Sequence, residues 1–404
     1  MDKTVNCLWI GRDIPIPEST GDRIYSGRLA TALAEAEFRV HFLGLVDPDA
    51  DLTQSNPTNF TWIPIWGQRK SYRSVALSAL PLAAAVLNTH GMRDRLRAEL
   101  HKDWEVIVLD NYATAWALTR VLAYRRRRAE RTVLVYVSHN HETELAKTLQ
   151  EKFRGPRTRR LFLALNYLKI RRIERKLLTE AELISSITEE DAAAFKPFLG
   201  KSVKQVVLTP GYSGNRVASR TIQSSHRRVV LVGSFRWVVK QQNLRELLDA
   251  ADNIFASLGI ALDIVGDTPD EIIAEYDGVL KATKFHGFVD DYTSIFQAAR
   301  IAIVPETVGG GFKLKILDYI FNRLPVAALS QASAGLPPAI RSNFIIAETI
   351  HELIQEITRC MDRLDQLDKM QSSAFDAACN LFEWSDRGEN LRMAIRSSYS
   401  QAAQ

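Results

Sequence analysis

Three consecutive glycines, Gly309, Gly310 and Gly311, follow Pro305 and lead into FKLKILDY, which carries Lys315 and Asp318. Glycine loses more conformational freedom on folding than any other residue, so three together imply that something must approach that backbone closely. A glycine-rich loop that turns backbone N–H groups toward a helix start suits an anion. Lys315 and Asp318, three residues apart, share one helix face. One reading sets a phosphate against the glycines and Lys315, with Asp318 reaching a hydroxyl. The plainer reading is a flexible loop followed by a surface ion pair, and the residues alone leave both open.

A second stretch, VVLVGSFRWVVKQQN, ends a strand at Gly233 and places Arg236 and Lys240 in the passage to a helix, where cations can meet the same anion. A third, VYVSHNHE, sets His139 and His141 just beyond an apolar strand. Spacing of two sends them to opposite sides and no third ligand is near, which disfavours a metal. One of them hydrogen-bonding a substrate or moving a proton competes with a capping or core role. In a fourth, PIPESTGDR, Gly21 precedes a helix that Asp22 is placed to cap. No GxGxxG occurs, so a dinucleotide-binding Rossmann enzyme is not supported, and Walker A, GxSxG and HExxH patterns are also absent.

These residues need strands that end where they begin. Short, almost continuously apolar segments (VNCLWIG, RVHFLGL, EVIVLD, TVLVYV) alternate with helix-patterned ones such as RIYSGRLATALAEAE. That alternation predicts βαβ units around a parallel sheet covered on both faces. A Gly/Ser/Pro-rich stretch, Leu208–Arg228, interrupts it, after which a second series begins with VVLVG and ends in helices from about Thr349. The expected organisation is two domains, 1–212 and 213–384, with a last helix, about 385–404, returning to the first. Two such domains place a ligand cleft beyond the carboxyl ends of their strands.

Composition narrows the class. Hydrophobic residues make up 46% and charged residues 25% of 404, as in globular proteins. Three cysteines without CxxC spacing argue against a disulfide framework or structural zinc. No apolar run is long enough for a membrane span, and the N-terminus is not patterned as a signal peptide, so the expected location is cytoplasmic. The net charge of +5 is uneven: Arg93–Lys176 holds 21 Lys/Arg against 10 Asp/Glu. Two clusters dominate, Tyr124–Arg131 and Lys152–Lys176, and in the second the cations interleave with Leu161, Phe162, Leu165, Leu168 and Ile170. This predicts peripheral contact with an anionic membrane, on the inner face of the plasma membrane. Aromatic residues are not spaced for base stacking, so nucleic acid is not expected.

From Val229 to Leu329 the ordered motifs VGSF, W..K..NL, L.IVG, F.GFVDDY, IAIVP and GGGFKLKILDY resemble the carboxyl-terminal domain of retaining glycosyltransferases of family 4. The first half resembles the family more loosely, through PIPESTGDR and SHNHE. The resemblance implies an α/β GT-B fold, two Rossmann-like doubly wound domains facing a central cleft. It implies a nucleotide-diphosphate sugar as donor substrate, no other cofactor and no metal. Gly309, Gly310 and Gly311 would lie against the diphosphate, with Lys315, Arg236 and Lys240 neutralising it. Asp318 would bind the ribose, Phe288 would sit near the base, Gly21 would close over the phosphates, and His139 would contact the sugar beside the reacting carbon.

One departure stands out. The family's EX7E pattern begins eight residues before Asp318, at Gly310, so its first glutamate is missing; whether Glu306 takes that place is open. The expectation is transfer, with retention, to a glycan or lipid-linked acceptor in cell-surface polysaccharide or lipopolysaccharide synthesis. A deoxy sugar as donor would suit the missing carboxylate. A non-hydrolysing sugar-nucleotide epimerase and an inactive glycosyltransferase-like partner protein are the competing expectations.

Overall fold

The structure is a computed structural model and describes residues 4–47, 50–52, 57–128, 132–307 and 311–402. The chain divides into two compact units, one of Met1–Gly211 with Glu383–Gln404, the other of Tyr212–Phe382.

The first unit is built on seven parallel strands: β1 (Val5–Asp13), β2 (Phe38–Leu45), β3 (Phe60–Ile65), β4 (Val106–Asp110), β5 (Val133–Val137), β6 (Leu183–Ser186) and β7 (Lys204–Val207). Their order is β3-β2-β1-β4-β5-β6-β7. Because helices cover both faces, β4 and β5 are buried at every position, which is why they read as unbroken apolar runs. The order reverses between β1 and β4, and there Asp13 and Asp110 end their strands. The last helix, Trp384–Ala402, packs against Gly21–Glu35 so closely that a Cβ at Gly388 would lie 2.2 Å from the Ala32 carbonyl oxygen.

The second unit carries six parallel strands: β8 (Arg228–Val232), β9 (Ala261–Val265), β10 (Thr283–Gly287), β11 (Ile301–Val304), β12 (Val326–Leu329) and β13 (Ile345–Ala347), in the order β10-β9-β8-β11-β12-β13. Its reversal lies between β8 and β11. Glycines stand at the carboxyl ends of three adjacent strands: Gly233 after β8, Gly266 after β9 and Gly287 closing β10. They are needed there. Gly266 has φ +120°, its N–H donates to the Gly287 carbonyl at 2.7 Å, and a Cβ on it would sit 2.0 Å from the Gly233 carbonyl oxygen. The helix after the glycine-rich stretch is short, Lys315–Phe321; Leu317 and Phe321 are fully buried in the core.

Candidate functional site

In the second unit the relevant groups gather where the sheet order reverses. Lys240 comes from the first turn of the helix Val238–Ser257, Lys315 begins the helix Lys315–Phe321, and Glu306 follows β11. With Leu231, Phe235, Asn243, Leu244 and Pro305 they line one small hollow. Lys315 Nζ lies 2.6 Å from Glu306 Oε1. Burial alone would raise the Glu306 carboxyl, but Lys315, Lys313 and Lys240 outweigh it and hold the group below the usual carboxylate range. Three ammonium groups therefore act on one buried carboxylate. Glu306 Oε2 is buried without a hydrogen-bond partner among the described residues.

Asp318 takes a different direction from Lys315. It is buried, and burial pushes its carboxyl up to about 7, with hydrogen bonding from the Tyr212 and Tyr292 hydroxyls offsetting part of the rise. The two residues that share a helix face by spacing thus have different partners, and the plain surface ion pair is not how Lys315 is held. The chain entering the glycines is fixed by Asn243, whose Oδ1 accepts the Thr307 N–H at 3.2 Å and its hydroxyl at 3.0 Å. Gly309 and Gly310 lie outside the described residues; Gly311 has φ +67°, the left-handed region that favours glycine. Arg236 pairs with Asp267 through a side chain three-quarters exposed, and Phe288 is likewise exposed. A larger hollow lies near the amino-terminal ends of β8 and β11, but its cation, Arg220, is spent on the carbonyls of Arg323, Phe296 and Ala299.

In the first unit the structure separates the two histidines. His139 Nε2 lies 2.6 Å from Asp110 Oδ1, while Asp110 Oδ2 accepts the Trp9 indole N–H at 2.9 Å. A carboxylate only accepts, so Nε2 carries a proton and Nδ1 is the nitrogen that titrates. Burial opposes the charged imidazole, yet Asp110, with Asp22 and Glu142, raises its pKa above the ordinary value. The Tyr25 ring meets His139 edge-on, with centroids 5.3 Å apart, and its hydroxyl donates to the Leu208 carbonyl at 2.8 Å. His141 instead stands 3.8 Å from Glu174, which accepts the N–H groups of Glu142 and Thr143 and so caps the helix Glu142–Lys152.

Two expectations need correction. Asp22 does not cap the helix that Gly21 begins: Thr20 is the N-cap and has no capping hydrogen bond. Asp22 instead pairs with Arg12 and accepts the Thr20 hydroxyl at 2.5 Å. The cluster Tyr124–Arg131 is not simply an exposed cationic face, because Arg125 is buried, donates to the Thr132 carbonyl and pairs with Glu182. Asp110 and Trp9 went unnoticed in the sequence, although a carboxylate closing the apolar run EVIVLD was a usable signal.

The arrangement can be set beside known proteins. Residues 226–363 match the family model described as glycosyl transferases group 1. The fold of nearly the whole chain matches sucrose-phosphate synthase from Thermosynechococcus elongatus, with a TM-score of 0.71 at 15% identity over 98% of this chain and 100% of that one. The chain has the GT-B fold, and its second unit matches the group 1 glycosyl transferases. Anabaena HepE in complex with UDP and glucose is similar in fold to this chain at a TM-score of 0.63 and 14% identity, over 97% and 100% of the two chains. The trehalose 6-phosphate synthase of Burkholderia multivorans gives 0.65 at 11% identity, over 99% and 98%. A comparison with curated protein sequences finds no match. The family match spans the strands and helices that bring Lys240, Glu306 and Lys315 together.

Proposed function

We propose that this glycosyltransferase moves a sugar from a UDP-type nucleotide-sugar donor to a glycan or lipid-linked acceptor, with retention, in assembly of a cell-surface polysaccharide or lipopolysaccharide. The observation that carries the reading is that Lys240, Lys315 and the buried Glu306 line one hollow where the sheet order reverses, with Lys315 Nζ 2.6 Å from Glu306 Oε1. As the glycosidic bond to the donor breaks, negative charge develops on the leaving diphosphate. Fixed cations beside loop N–H groups stabilise that charge more than they stabilise the ground state. The lysines supply this charge without a resident metal. HepE, a neighbour in fold, binds UDP and glucose.

Lys315 turns from Glu306 toward the arriving diphosphate, and Glu306 Oε2, which has no hydrogen-bond partner among the described residues, accepts a donor hydroxyl. Asp318 accepts the ribose hydroxyls in its ionised form. In the first unit, His139 is held by Asp110 through Nε2, and the role proposed for it toward the donor sugar is the one the resemblance implies. The cationic excess of residues 93–176 favours an acceptor carried at an anionic membrane.

Thermal-shift measurements with UDP, GDP, dTDP and ADP test the donor. Stabilisation by UDP above the others is expected, because a ligand that binds only the folded state raises its melting temperature. No response to any nucleotide would leave the inactive partner protein as the better reading. NMR of the glycoside product tests retention, and an inverted anomer would refute it.

A further inference from the structure

The helix Arg157–Glu180 carries eight Lys/Arg and two glutamates. Glu174 is buried at the cap of the neighbouring helix, and Glu180 is the last residue. Its buried side is formed by Ile170, Glu174, Leu177 and Leu178. At about 100° per residue, Leu161, Leu165 and Leu168 fall within a sector of about 60° on the opposite side. They are 63%, 49% and 53% exposed. Arg172 falls within that sector, Arg157 and Arg175 lie about 20° beyond its edge, and all three are exposed. A stripe of leucines turned away from its own core, set among cations with no exposed carboxylate before the helix end, matches an anionic, apolar-centred surface.

A second element adjoins it. The chain between β3 and the helix Leu82–Leu87 exposes Trp66, Tyr72 and Leu77, the last completely. It meets the long helix where Asn166 Oδ1 accepts the Leu82 N–H at 2.8 Å. This segment lies outside the basic stretch 93–176 and has its own cations, Lys70 and Arg73.

We infer that the outward stripe of the helix Arg157–Glu180, with the adjoining segment Trp66–Leu77, is a docking surface for an anionic lipid bilayer, the leucines entering the headgroup region and the arginines pairing with lipid phosphates. The long arginine stems lie along the apolar boundary while their guanidinium groups stay in the polar layer. The inference rests on the reading of a lipid-linked acceptor and gives it a place on the protein. It differs from attraction by net charge alone because it needs the leucines too.

Co-sedimentation of the full chain tests it, using vesicles of phosphatidylcholine with and without phosphatidylglycerol. Binding is expected only with the anionic lipid, and most of it is lost in ~1 M NaCl, where charges more than about 3 Å apart are screened. The variant L161S/L165S/L168S should bind at least ~tenfold more weakly, as should R157E/R172E, and L77S should bind less tightly than the parent chain. These side chains are exposed, so melting temperature and the response to UDP should not change. Equal binding to neutral vesicles, no binding to anionic ones, or a triple-serine variant that binds like the parent would overturn the inference. So would a dimer of the parent chain that the triple variant abolishes, since the stripe would then be a contact between copies. The UDP response is read separately: its absence in the parent chain counts against the donor reading, whatever the vesicles show.

Discussion

Asp110 joins His139 to the sheet. One carboxylate oxygen lies 2.6 Å from His139 Nε2 and the other takes the Trp9 indole N–H at 2.9 Å, so neither the tautomer nor the ring orientation of His139 is free. Asp110→Asn should lower kcat by about 10- to 100-fold, the equivalent of losing one charge-assisted hydrogen bond of about 1.5–3 kcal/mol. The UDP-induced thermal shift should persist, because the change is in the other unit. The pairing also has a pH signature. Since the folded pKa of His139 is raised, the stability it contributes is fully present below about pH 6.5 and is lost as pH rises through the folded value. Urea titrations of Asp110→Asn at several pH values should lack that decline.

Removing Lys315 should cost more than removing both members of its pair. Lys315→Met leaves the buried Glu306 without its nearest cation, a loss of about 3–5 kcal/mol by analogy with other broken buried pairs. Lys315→Met with Glu306→Gln should recover much of that, as measured by chemical denaturation. Neither variant should respond to UDP. The lowered folded pKa of Glu306 means that its contribution is present above the usual carboxylate range and lost as pH falls below it.

For Asp318 the sign is opposite. Its folded pKa, about 7, lies above the unfolded one, so the protein is favoured with this carboxyl protonated and loses stability as pH rises toward and past 7. Asp318→Asn should therefore be more stable than the parent at pH 8, by at most about 4 kcal/mol. Nucleotide binding should behave in reverse, because an ionised carboxylate is the better acceptor for ribose hydroxyls. UDP affinity should increase between pH 6 and 8, and calorimetry on Asp318→Asn should find weaker binding with no such increase.

Gly266→Ala should prevent stable folding of the second unit. The new methyl would lie 2.0 Å from a backbone oxygen that cannot withdraw, at a φ of +120° that L residues rarely adopt. A loss above ~3 kcal/mol is expected, at the severe end for a single substitution. The same change at Gly259, which has no atom within 4 Å of the added Cβ, faces only its positive φ and should cost about 1–2 kcal/mol. Melting curves of the two variants compare a clash with local backbone strain.

Much of this molecule can be read along the chain. Unbroken apolar strands alternating with helices predict parallel sheets, because only strands covered on both faces lack a polar side. The ordered motifs from Val229 to Leu329 carried the GT-B expectation, and the fold and the family match agree with it. The amphipathic leucines of the helix Arg157–Glu180 were visible by their spacing, and so were Lys315, Asp318 and Lys240.

Partnership was not legible. Lys315 pairs with a carboxylate nine residues back, Asp318 lies with tyrosines 106 and 26 residues away, and Arg125 is drawn inside by Glu182. Trp9, Asp110 and His139 meet only because β1, β4 and β5 are neighbours in the sheet. Periodicity is a local property, so the sequence by itself determined the elements and the residue types available at their ends. Which charges are neutralised, buried or left in excess depends on strand order and long-range packing, and only the tertiary structure decided that.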